Sequence, residues 1–320
     1  MEVPPFKMTA EIIALSLEIA KLVGKMEGFG VKSAVPFLRK QNQVKTIQGS
    51  LAIEGNTLSL DQITSILEGK RIIGDPKEIK EVKNALLLYE QAHQFSYTSS
   101  SSFKQAHGLL MKGLIPDAGS LRSKNVGIIA AGHVKHVALK PGLVPNLIEN
   151  LFLFLKKDPT PILIKSAVVH YEIEFIHPFA DGNGRMGRFW QHLLLVHYHP
   201  LFKNIPFETV IKDQQQTYYQ VLAQCDKSGD STPFIHFSLQ TIRSALMMVE
   251  EESILVPIDK KTRLEFAHKH FGNKVFSRKD YILSCKNIST ATSSRDLKFG
   301  VEQGILTKTG DLSTSLYQFI

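Results

Sequence analysis

Between His177 and Arg188 the chain reads His177-Pro-Phe-Ala-Asp181-Gly-Asn-Gly184-Arg-Met-Gly-Arg188. These residue types suit gripping a polyphosphate and moving a proton beside it. Asp-Gly and Asn-Gly are hairpin dipeptides when alternating strands flank them. Here the flanks are apolar helical runs, Ile162 to Ile176 before and Gly184 to about Tyr198 after. The loop therefore delivers its glycines to the start of the second helix. Glycine lets backbone N–H groups approach a ligand, and a helix start offers unpaired N–H groups and partial positive charge. Arg185 and Arg188 are three apart and share a helix face. Guanidinium forks match phosphate geometry. Asp181 is a hard oxygen ligand suited to magnesium carried by a nucleotide. His177 has an unperturbed pKa near ~6.5, right for a general base. The competing reading is a glycine-rich interhelix turn whose arginines pair with local carboxylates.

With every fixed position filled, the stretch resembles the signature of the Fic (filamentation induced by cAMP) family, from about Phe103 to Glu250. The resemblance implies a mostly helical core with a β-hairpin flap, transferring AMP from Mg-ATP to a protein hydroxyl. His177 would deprotonate a Ser, Thr or Tyr hydroxyl on the target. Asp181 would hold Mg²⁺. Asn183 and the backbone from Gly182 to Gly184 would line the anion hole. Arg185 would bind phosphate and Arg188 the γ-phosphate, with Phe179 anchoring the loop in the core. Gly132, His133 and Val134 would sit on the flap that aligns a target segment by strand addition. Tyr218 and Tyr219 fall where the family places a ring near adenine; core packing is the alternative for each.

Ser50-Leu-Ala-Ile-Glu54-Gly55-Asn56 puts Ser50 and Glu54 on one face at a helix end. Alone it reads as a capped terminus with a solvated acid. Beside the phosphate loop it resembles the family's inhibitory helix of the self-inhibited type. The resemblance implies that Glu54 pairs with Arg188 and blocks the γ-phosphate site. Some family members also remove AMP, using this glutamate to activate water, and that alternative stays open.

The elements that must position these residues are mostly helical. Periodicity predicts helices from Ala10 to about Leu22, Arg39 to Glu54, Leu60 to Leu67 behind a Ser59–Gln62 capping box, and Ile79 to Phe95. A polar run, Ser96 to Ser102, reads as a loop and seam. Phe103 to Leu114 and Val144 to Lys157 are helical. Val126 to Leu139 alternates and reads as a short hairpin with Gly132 near its turn. Phe207 to Gln224 reads as one helix, and Pro233 opens the last long one. Ser253 to Lys260 is a linker. After it come helices at Thr262 to His270, Ser277 to Cys285 and Ser289 to Gln303, then two alternating runs around Gly310-Asp311. That order predicts a winged helix-turn-helix. The division is 1–102 N-terminal helices with an inhibitory helix (about 39–54), 103–252 core, and 260–320 winged helix.

The chain has 320 residues, 43% hydrophobic and 21% charged, which excludes a disordered protein. Of the net charge of +8, +6 falls in Lys260 to Ile320. That excess points to an acidic partner for the C-terminal segment, such as DNA, with Ser293, Ser294, Arg295 and Lys298 on exposed positions and Lys308 in the wing; a protein-docking module or a solubilising domain are the alternatives. The alternative function is thus a nucleotide-sensing DNA-binding regulator. No run reaches the ~18 apolar residues that cross a bilayer. Cys225 and Cys285 lie far apart, so neither a disulfide framework nor a zinc cluster is expected. A cytoplasmic location is the simplest reading. A metal hydrolase using His177, His192, His197 and His199 is disfavoured, since the last three spread around one helix. The expected partners are ATP and a target protein, which could be the chain itself; no membrane is expected, and homo-oligomerisation stays open.

Overall fold

The computed structural model describes residues 2–28, 36–130, 133–137, 139–254, 260–285, 288–311 and 315–320. Its contacts form two compact units. The first holds Met1–Lys25 and Gln41–Met247, the second Met26–Lys40 and Met248–Ile320.

Helices dominate the first unit. α1 (Ala10–Gly28) passes the predicted end at Leu22, because a single interior glycine such as Gly24 costs only ~1 kcal/mol. α2 (Pro36–Ile53) carries Ser50 near its end. α3 (Leu60–Leu67) opens on the predicted capping box, with Ser59 Oγ accepting from Gln62 N and Gln62 Oε1 accepting from Ser59 N. α4 (Pro76–Glu90) starts before the predicted Ile79, since Asp75 caps it and Pro76 takes the first helical position. It also stops short of Phe95, at a 3-10 turn over Ala92–Gln94. α5 (Ser100–Leu110) begins inside the predicted loop, with Ser99 as its cap. Residues on both sides of 102/103, the expected seam, belong to one compact unit.

The hairpin forms as expected. β1 (Gly127–Ala130) pairs antiparallel with β2 (His133–Val137), in the register Ala130↔His133 and Ile129↔Val134, with a slip between Ile128 and Ile129. Gly132 lies outside the described residues. α6 (Val144–Lys157) and α7 (Ile162–Ile176) match their predicted bounds. α8 (Asn183–Tyr198) follows the glycine loop and packs along α7. Buried residues run unbroken from Leu163 to Tyr171 in α7 and from Arg185 to Leu195 in α8. Trp190, fully buried, meets Phe103 and Phe152 edge-on at 5.1 and 5.7 Å. The single helix predicted for Phe207 to Gln224 is two, α9 (Phe207–Asp213) and α10 (Gln215–Ser228). The break falls at Gln214, whose N–H closes α9 on the carbonyls of Ile211, Lys212 and Val210. α11 (Thr232–Ile254) follows.

In the second unit α12 (Lys260–Phe271), β3 (Phe276–Ser277), α13 (Arg278–Ser284), α14 (Thr290–Glu302), β4 (Leu306–Thr309) and β5 (Leu316–Phe319) succeed one another. The strands order β3-β5-β4, and the elements follow the order anticipated for a winged helix-turn-helix. Most of the linker expected at Ser253 to Lys260 lies outside the described residues. A core of Leu264, Phe276, Tyr281, Leu297 and Phe319 closes over a bidentate Arg263–Asp296 pair at 2.6 and 2.8 Å. On α14 Ser294, Arg295 and Lys298 are exposed. Ser293 is not, contrary to expectation: it is fully buried, its Oγ donating to Thr290 O. No described helix is long and apolar enough to cross a membrane.

Candidate active site

α7 ends on His177, which caps it at φ 50°, ψ 61° and is the one non-glycine with positive φ among the described residues. Left-handed angles cost a residue with a Cβ about 1–2 kcal/mol. Pro178 then bars any return to helix. The next turn is closed by Asn183, whose Oδ1 accepts from Phe179 N at 2.8 Å while its Nδ2 donates to Phe179 O at 2.9 Å. The Asn183 side chain was expected to line an anion hole. Instead it is 2% exposed and occupied in shaping the loop. The first intrahelical bond of α8 is Met186 N to Gly182 O, so the backbone amides of Asn183, Gly184 and Arg185 have no helical carbonyl to bond; a helix start of this kind suits an anion.

Two residues not singled out in the sequence hold this loop. His107 of α5 stacks flat on Phe179, with centroids 3.6 Å apart at 1°. Its Nδ1 accepts from Gly119 N at 2.8 Å, which leaves Nε2–H to donate to Asp181 O at 2.9 Å. The ring is thus a neutral tautomer; burial, with some help from Arg185, lowers its pKa to about 4. Arg122 donates through Nε to His177 O at 2.6 Å. A histidine in an amphipathic helix and an arginine in a loop carry no local sign of such partners.

Arg188 is fully buried. Its Nε donates to Ser50 Oγ at 3.1 Å, and its Nη2 to Ser50 O at 3.0 Å and Glu54 Oε1 at 2.6 Å. Burial would lower its pKa, but Glu54, then Tyr218 and Glu174, hold it above the ordinary guanidinium value. Glu54 sits at the C-cap of α2. Gly55 N bonds Ala52 O and Asn56 N bonds Leu51 O, with Gly55 at φ 93°, a Schellman end. An acid there faces the negative end of its own helix. It is compensated by lying against the positive start of α8: a Cβ on Gly184 would collide with Glu54 Oε1 and come within 3.2 Å of Arg188 Nη1.

Arg185 is also held by acids. Nη1 donates to Glu81 of α4 at 3.2 Å, and Nη2 to Asp181 Oδ1 at 3.1 Å. Asn56, next to the Glu54–Gly55 turn, donates to Glu81 Oε2 at 3.0 Å. Arg185 Nε and Arg188 Nη1 are buried with no hydrogen-bond partner among the described residues.

Tyr218 is in the core, and Tyr219 is half-buried against the end of α2. Tyr218 is 1% exposed, with its hydroxyl between Glu174 Oε1 (2.9 Å) and His170 Nε2 (3.1 Å). Its ring packs near Phe234 and Phe237. This is the core-packing alternative, set by an apolar face on α10. Burial raises the Glu174 carboxyl to about 7, and the charge of Glu54 adds to this against the pull of Arg188. Tyr219 donates to Ile53 O at 3.3 Å, beside Gln215 Nε2 at 2.8 Å. Both cap the last carbonyl of α2. His133 and Val134 stand in β2 of the hairpin. His192 is buried beside Glu208, and burial lowers its pKa to about 4.

A family model described as the Fic/DOC family matches residues 97–195. The crystal structure of a Fic family protein from Desulfovibrio desulfuricans superposes over the full length, with 36% identity, TM-score 0.81, and 98% of that chain covered. The chain belongs to the Fic family. It is also similar to Fic-1 (aa134–508) of C. elegans, at TM-score 0.58 and 21% identity over 73% of this chain and 70% of that one, a likeness of fold. Two relatives named protein adenylyltransferase Fic share 27% identity (Drosophila mojavensis) and 29% (Culex quinquefasciatus), over 64% and 62% of this chain. The matches span 41% and 40% of those proteins' own lengths, so the chain covers about two-fifths of them.

Within this Fic chain α2 is seated by a glycine. A Cβ on Gly49 would lie 2.8 Å from Glu208 C and Thr209 N, backbone atoms that cannot swing aside. Gly49→Ala should therefore lift α2 from α9, destabilise the chain by about 1–3 kcal/mol, and speed amide exchange over residues 41–53. Exchange at the wild-type rate would show that the contact does not seat the helix. At pH 5.5 an exposed histidine is mostly charged, whereas His107, lowered to about 4, should stay neutral with its proton on Nε2. Ring ¹⁵N shifts check this.

Proposed function

We propose that the chain transfers AMP from ATP to a protein hydroxyl and that Glu54 restrains the reaction. One constellation carries the reading. The amide-rich start of α8, two buried guanidiniums with unpartnered N–H groups, and His177 are all supplied by one twelve-residue stretch. Buried polar groups without partners are rare in folded proteins, and phosphate oxygens suit both. The names of the curated relatives agree with the reaction class.

In this reading His177 takes the proton of a Ser, Thr or Tyr hydroxyl. The oxygen attacks the α-phosphorus, the bond to the bridging oxygen breaks, and pyrophosphate leaves with its charge held by Arg185 and Arg188. Such chemistry asks for positioning and charge stabilisation. The reaction implies Mg²⁺ carried by ATP. Asp181 fits it: its side chain is 52% exposed, and no group of three or more metal-ligating side chains occurs among the described residues. A lone carboxylate leaves the other positions to phosphate and water, as magnesium prefers. The bound ion supplies neutralisation of phosphate charge. β1 and β2 form the hairpin on which a target segment would pair.

Glu54 restrains transfer because it holds the Arg188 Nη2 group that a γ-phosphate needs. A second reading concerns the other unit, where exposed Arg295, Lys298 and Lys308 on α14 and β4 favour DNA as a partner.

Glu54→Gly should raise labelling from α-labelled ATP by about 5–150-fold, the usual span of a coupling between sites. Unchanged labelling would remove the restraint. Adding His177→Ala should cost about 10²–10⁴-fold while ATP still binds; retained transfer would take the base role from His177. In a gel-shift assay with duplex DNA at two salt concentrations, affinity should fall as salt rises. No shift at the lower salt argues against the DNA reading.

A further inference from the structure

Arg122, between α5 and β1, is a cation only 5% exposed. Its guanidinium makes four donations, and every acceptor is a backbone carbonyl: His177 O through Nε at 2.6 Å, Leu139 O and Ile176 O through Nη2 at 2.6 and 3.3 Å, and Lys124 O through Nη1 at 3.1 Å. Its own N–H donates to Pro178 O at 2.9 Å. Burial lowers its pKa. A charge taken from water without a carboxylate to meet it is costly, so its position needs a reason.

The carbonyls it gathers supply one. Ile176 and His177 end α7, where carbonyls lack helical partners and carry partial negative charge. His177 is also the residue held at left-handed angles. Backbone in that region persists only where its surroundings over-determine it. Arg122 does so from both sides, bonding His177 O by its side chain and Pro178 O by its main chain. Leu139 lies just beyond β2, so the same guanidinium ties the return strand of the flap to the histidine.

We infer that Arg122 is a positioning residue for the transfer step, setting the His177 backbone and the base of the flap in one frame. The inference rests on the adenylyl-transfer reading. Arg122 itself touches no reacting atom. Without it His177 relaxes toward ordinary angles, and its imidazole swings away from the acceptor hydroxyl. The anion-binding start of α8 is built separately, by Asn183 and His107, and keeps its shape. Loss should therefore fall on turnover and spare ATP binding.

The test uses the full chain in the Glu54→Gly background, with α-labelled ATP and self-labelling as the probe. Arg122→Met should lower the saturating rate by about 10²-fold, as misplaced catalytic groups do, with half-saturating ATP within about twofold. Arg122→Lys should recover part of the rate, because an ammonium can reach His177 O but cannot bond four carbonyls at once. A saturating rate for Arg122→Met within about threefold of its parent overturns the inference, as does a loss that appears wholly in half-saturating ATP. If Arg122→Met does not fold, Arg122→Lys decides: an undiminished rate overturns the role and a reduced one supports it. Backbone chemical shifts of His177 give a readout independent of labelling. Left-handed shifts should vanish in Arg122→Met, and their survival there overturns the clamp; where only Arg122→Lys folds, shifts identical to those of its parent overturn it and displaced shifts support it. Failure of Glu54→Gly itself to label would instead count against adenylyl transfer and leave the shifts to judge Arg122.

Discussion

A guanidinium with no exposure to water is costly unless acceptors or a counter-charge meet it. Arg188 is that group, and much of the first unit is arranged around meeting its need. It stands on α8 and is met by the end of α2. Ser50 takes its Nε, and Glu54 takes its Nη2 at 2.6 Å. Removing one partner of a fully buried pair costs about 3–5 kcal/mol; with the Glu54 side chain 35% exposed, screening by water brings this pair below that range. The site therefore favours an anionic occupant. Here the occupant is a carboxylate carried in by α2, itself at the unfavourable end of its own helix.

A second layer of the structure concerns the loop, not the charge. Phe179 is pinned by His107 on its face and by Asn183 through its backbone. His177 is held at angles it would not choose. The contacts of His107 and Asn183 use neutral donors and acceptors, and the Arg122 cation that holds His177 bonds only carbonyls, so none of them calls for an anion beside α8. The two layers separate the tasks of shape and charge.

Much of this was legible in the chain. The phosphate loop, the bounds of α6 and α7, the Ser59 capping box and the glycine stop after Glu54 all follow from local rules: period, caps and turn residues. The hidden residues act over long separations. Glu81 meets Arg185 across 104 positions, His107 meets Asp181 across 74, and Arg122 meets His177 across 55. Each looks ordinary in its own segment. Glu81 is one acid among several on a polar helix face, and Arg122 stands in a loop. Gly49 is silent for the same reason, since its constraint is the backbone of α9. Tyr218 shows the converse, where a resemblance suggested a ligand contact and packing against Phe234 and Phe237 prevailed. The break at Gln214 also escaped, because apolar periodicity continues across it.

Asn56 gives the arrangement a mechanical character. Its amide donates to Glu81 Oε2 and to Glu78 O, while its backbone closes the turn that presents Glu54. The acids on Arg185 and Arg188 are thereby joined through one side chain. A partial opening, with one carboxylate displaced and the other in place, would leave that amide half-bonded in a poorly hydrated spot. Through Asn56 the carboxylate on Arg185 and the turn that carries the carboxylate on Arg188 share one bonded residue, so a displacement at either is felt at the other.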